Sequence, residues 1–86
     1  MKTIKEKQLK KIETIIKSFN EDERTNFIKS EIIKYENIEY YTLKFENFIY
    51  TYQMGKIMNT KIPFYISYDN YTSDKLLIEC NFRINK

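Results

Sequence analysis

NEDERTNFIKSEIIKY (residues 20–35) reads as a helix with its own start signal, and that reading decides the predicted fold. Asn20 can cap, and Glu23 stands three residues on to close a capping box. Glu21, Asp22 and Glu23 place negative charge where a helix dipole favours it. Ile28, Ile32 and Tyr35 then fall on one helical stripe, with Phe27 and Ile33 at its flanks. Just upstream, TIKEKQLKKIETIIKSF (3–19) is a clearer amphipathic helix. Ile4, Leu9, Ile12, Ile15, Ile16 and Phe19 share an arc, and Lys7, Lys10, Lys11 and Lys17 lie opposite. Lys5 alone intrudes on the apolar arc, where a long stem can snorkel.

From Ile38 onward the period changes to two. Tyr41, Leu43 and Phe45 alternate with Tyr40, Thr42 and Lys44, and Phe48, Tyr50, Tyr52 and Met54 with Ile49, Thr51 and Gln53. Ile62, Phe64, Ile66 and Tyr68 make a third alternating set, and Leu76, Ile78, Cys80, Phe82 and Ile84 a fourth. Four half-buried strands follow, with Pro63 near a strand end or sheet edge, DNYTSD (69–74) as a turn, and MGKIMNTK (54–61) as a longer connection. The near-repeat in KYENIEYYTLKFENFIY (34–50) is punctuation. Asn37 is expected where the second helix stops, and Asn47 between the first two strands, because Asn tolerates the left-handed conformation that both reversals need. The predicted architecture is α-α-β-β-β-β over residues 1–86: one small α+β domain, both helices on one face of an antiparallel sheet, whose short connections favour a meander order, with closure into a small barrel as the alternative.

Composition narrows the function. The 86 residues include 14 aromatics and an apolar fraction of 42%, which suits a folded chain. There is no His, Trp, Ala or Val, while Ile, Lys, Asn and Tyr fill half the chain. That usage reflects AT-biased coding and points to a low-GC host. Without His, the usual triads and imidazole metal sites are excluded, and the lone Cys80 can build neither an internal disulfide nor a Cys-based zinc site. Cys80 is expected as a buried core thiol. No catalytic residue, metal or cofactor is assigned, and an enzyme is not expected. No apolar run approaches a membrane span or a signal peptide, so the expected location is the cytoplasm, away from membranes.

Two surfaces remain as candidates. Tyr40, Lys44, Tyr65 and Arg83 alternate away from the helices, together with Thr42, Thr51, Gln53 and Glu79. Tyr40, Lys44, Tyr65 and Arg83, with Tyr71 at a loop tip, form the predicted partner-binding set, since Tyr gives large contact area at small entropy cost. The partner would be a larger host protein or a protein–nucleic acid complex. Short length, coding bias and a Tyr-rich sheet match the style of a phage or mobile-element inhibitor, of which anti-CRISPR proteins are one class, although no motif here identifies a family. The alternative is direct nucleic-acid binding by Lys7, Lys10, Lys11 and Lys17, in a first segment (1–19) whose local charge is +4. Homodimerisation through an edge strand is compatible with either.

Overall fold

A computed structural model describes residues 3–70 and 74–84. Two helices and a four-stranded antiparallel sheet are present, as expected of an α+β chain. Their order is different: α1 (Ile4–Glu21), β1 (Phe27–Tyr35), β2 (Ile38–Glu46), α2 (Thr51–Asn59), β3 (Phe64–Asn70) and β4 (Leu76–Ile84). The predicted α-α-β-β-β-β order is thus replaced by α-β-β-α-β-β.

The segment 20–35 is not a second helix. Asn20 and Glu21 continue the last turn of α1, and Asp22 ends it as the C-cap. Asp22 Oδ1 then accepts from the Arg24 N–H at 2.9 Å, and Thr25 Oγ1 from the Phe27 N–H at 3.1 Å. These side-chain bonds turn the chain instead of starting a helix. Beyond the turn, β1 pairs with β2 through a two-residue loop. Glu36 and Asn37 have φ of 50° and 66°, so both are left-handed, as the tightest hairpin turn requires. Asn37 is therefore left-handed as expected, but in a hairpin rather than at a helix end. Glu36 is a poor residue for that conformation, and Glu36→Asn is expected to stabilise the protein by about 1 kcal/mol. A rise in the urea midpoint with unchanged m checks this.

The predicted second strand, 48–54, is also overturned. Asn47 (φ 67°) ends β2, its N–H donating to the Leu76 carbonyl and its Oδ1 accepting from the Leu76 N–H. The chain then enters α2. Gln53 Oε1 accepts from the Tyr50 N–H at 2.8 Å, and Gln53 Nε2 donates to Thr25 Oγ1 at 2.9 Å. Gln53 and Ile57, one turn apart, are fully buried. Gln53 and Thr51 therefore belong to a helix, not to the outer sheet face.

The sheet order is β1-β2-β4-β3, not a meander. Each half of the chain is a helix followed by a hairpin, and the second strands of the two hairpins pair antiparallel at the centre. The helices pack differently from the expected arrangement: α1 lies against β1 and β4 on one sheet face, and α2 packs beside α1. Leu43 and Phe45 of β2, and Ile78, Cys80 and Phe82 of β4, pack with Ile12, Ile15 and Phe19 of α1 and Ile57 of α2. Phe19, Phe27 and Phe45 pack ring against ring, with centroids 5.5–5.8 Å apart. Lys5, the intruder on the apolar arc, pairs with Glu39 of β2 at 3.0 Å. Cys80 is fully buried as expected, and desolvation pushes its thiol up to about 12. Pro63 immediately precedes β3, an edge strand. No helix among the described residues is long and apolar enough to cross a membrane.

Candidate functional site

The sheet face turned away from the helices carries the main candidate site. Strand pairing fixes what it displays. Glu31, Thr42, Asn81 and Tyr65 form one row across the four strands, and Ile33, Tyr40 and Arg83 form the next. Since side chains on one face recur every second residue, Tyr35, Lys44, Ser67 and Glu79 share that face. Ile33, Tyr35, Tyr40, Thr42, Tyr65, Ser67, Glu79 and Asn81 line a hollow of about 270 Å³.

Its floor is polar and internally satisfied. The Thr42 hydroxyl donates to Asn81 Oδ1 at 2.8 Å, and Asn81 Nδ2 donates to Ser67 Oγ at 3.0 Å and the Tyr65 carbonyl at 3.3 Å. Thr42 is fully buried and Asn81 nearly so, although both face away from the main core. The walls are aromatic. Tyr40 and Tyr65 meet edge to face, with ring centroids 5.6 Å apart and an interplanar angle of 88°. Tyr65 is still half exposed. A bonded floor fixes the strands, and the two rings above it present rigid amphipathic surface.

The sequence-predicted partner-binding residues divide accordingly. Tyr40 and Tyr65 come together, and Arg83 stands opposite Tyr40 in the strand register with its side chain exposed. Arg83 makes no ion pair among the described residues. Lys44 lies on the same face but is engaged, its Nζ 2.7 Å from Glu31 Oε1. That hydrogen-bonded pair raises the Lys44 pKa and lowers that of Glu31. Tyr71 lies outside the described residues. Ile33 and Tyr35 line the same hollow, a placement that the helical reading of 20–35 hides. Their signal was the alternation Glu31, Ile33, Tyr35, which continues the period of two found downstream.

Two other surfaces have defined geometry. Lys7, Lys10, Lys11 and Thr14 line a groove of about 380 Å³ on α1, with Lys17 further along the same helix. Lys11 Nζ is partly committed, donating to the Thr60 carbonyl at 3.3 Å. At a separate site, Tyr50 and Tyr52 stack with centroids 5.8 Å apart beside Asp22 and Arg24. The Tyr52 hydroxyl donates to Asp22 Oδ2, which lowers the Asp22 pKa and raises that of Tyr52. Compared with family models, curated proteins and solved structures, the chain matches none.

Proposed function

We propose that this is a non-enzymatic binding protein that docks the outer face of its sheet on a larger protein partner. The observation that carries the reading is the Tyr40–Tyr65 pair, held over the bonded Thr42–Asn81 floor, with Arg83 opposite Tyr40 in the strand register. Interface hot spots are rich in Tyr and Arg, and rigid aromatic anchors lose little entropy on binding. The hollow is open to solvent, which suits a protruding side chain of a protein better than an enclosed small molecule. The AT-biased coding supports a finer version, a phage or mobile-element inhibitor, anti-CRISPR-like in style, that blocks a protein or protein–nucleic acid complex of a low-GC host.

The test is affinity capture from a low-GC bacterial lysate, followed by titration of the captured protein. The double variant Tyr40→Ala, Tyr65→Ala is expected to weaken binding by at least about 2 kcal/mol, roughly thirtyfold. Replacing Lys7, Lys10, Lys11 and Lys17 together should leave that affinity nearly unchanged. Near-normal binding by the double tyrosine variant sinks the sheet-face reading.

The lysine groove on α1 favours a second reading, direct nucleic-acid binding. Labelled single- and double-stranded DNA and RNA, titrated at about 50 and about 200 mM salt, would then bind tightly only at the lower salt. Loss of that binding in the four-lysine variant would transfer the function to the helix.

A further inference from the structure

The two edges of the sheet are unlike. β3 has seven residues, follows Pro63 and ends in Asp69 and Asn70. β1 has nine, and every residue from Glu31 to Tyr35 is exposed. Ile32 is 55%, Ile33 37% and Tyr35 64% accessible, although Ile32 and Ile33 face opposite sides of the sheet. An open edge flanked by apolar side chains on both faces is a template for another strand.

We propose that β1 pairs antiparallel with β1 of a second copy of the chain, about a two-fold axis through Ile32. The pairing of β1 with β2 shifts register between Phe27 and Lys29, so the regular part of the edge is 29–35. Ile32 is its midpoint. In this register Ile32 meets the partner's Ile32 and Glu31 meets the partner's Ile33. Ser30 lies opposite the partner's Lys34, and Lys29 opposite the partner's Tyr35.

Three features favour that alignment. Paired residues differ by an even number of positions, so groups that point outward from one edge meet groups that point outward from the other. Apolar side chains are covered on both faces at once. No like charges stand opposite each other, and Lys29 can lay its ammonium against the partner's Tyr35 ring. Centring the axis on Glu31 instead would set two carboxylates face to face, which destabilises a strand pair. The resulting eight-stranded sheet would carry both Tyr40–Tyr65 hollows on one continuous face. The inference rests on the strand edge alone and is independent of what those hollows bind.

Sedimentation velocity of the full chain from about 1 to about 200 µM tests it. The expected result is a monomer–dimer equilibrium that Ile32→Lys weakens at least tenfold, with the far-UV circular dichroism of the monomer unchanged. Register is read separately with Ile32→Cys. Directly opposed strand residues have Cα atoms about 4.5–5.5 Å apart, within disulfide reach, so this variant should cross-link quickly under mild oxidation. Cys80 is fully buried and does not compete. A wild-type monomer throughout the range would overturn the proposal. So would a dimer indifferent to Ile32→Lys, or Ile32→Cys cross-linking no faster than Lys17→Cys on α1.

Discussion

Replacing Phe19 with alanine is expected to lower the free energy of unfolding by about 3–5 kcal/mol, the range for emptying a buried aromatic site. Phe19 is fully buried and is the point where three parts of the chain meet. Its ring contacts Phe27 of β1, Phe45 of β2 and Tyr52 of α2. Neighbours on three elements cannot close a gap in concert, so much of the cavity persists. An 86-residue chain has a total stability of roughly 4–13 kcal/mol. The variant is therefore expected to lose a large share of it and to melt at least about 12 °C lower. Thermal unfolding followed at 222 nm measures this. A loss below about 1 kcal/mol would mean that α1 does not seat Phe19 among these rings.

Asn81→Leu is the second large effect, and it acts on the opposite face. Leucine keeps the approximate volume but removes the acceptor of the Thr42 hydroxyl and the donor to Ser67 and the Tyr65 carbonyl. Each polar group left buried without a partner costs about 1–3 kcal/mol. Restoring consistency should recover part of that loss, because removing both members of a buried pair is far less costly than removing one. Asn81→Leu is thus expected to be clearly less stable than Asn81→Leu with Thr42→Val in urea titrations. Its near-ultraviolet tyrosine signal should also change, since Tyr65 is anchored through the same amide. Equal stability of the single variant and the parent would dissolve the floor as a structural device.

The parts of this fold that sequence made legible are those in which apolar spacing has one interpretation. Ile12, Ile15 and Phe19 fit only a helix, and Ile78, Cys80, Phe82 and Ile84 fit only a strand. That same alternation placed Tyr40, Tyr65 and Arg83 on a common face. Residues 20–35 had two interpretations. Ile28 and Ile32, four apart, suit a helix stripe, and they suit a strand equally well. The acidic cap signal tipped the balance, yet Asn20 belongs to the end of α1. What decides β1 is tertiary: a two-residue left-handed turn and a partner strand in register. In 48–54 the aromatics alternate by coincidence, while the helix depends on a buried Gln53 that hydropathy scores as surface. The Glu31–Lys44 pair was hidden for a related reason, since Glu31 had been placed on a helix.

The central pairing of β2 with β4 has a kinetic consequence. Each hairpin closes over a short stretch of chain, with only Glu36 and Asn37 between β1 and β2. Thr42 and Asn81, by contrast, are 39 positions apart, and joining them encloses all of α2 and β3. Distant pairings are slow to form because the entropy of closing the loop is lost before any contact returns it. Local hairpins are therefore expected early and the seam between the halves late. The Tyr40–Tyr65 hollow straddles that seam, with Tyr40 and Thr42 contributed by one half and Tyr65, Ser67 and Asn81 by the other. No half-folded chain can display it. A ligand seated there would hold the last-formed join shut, so occupancy should slow unfolding as well as raise stability.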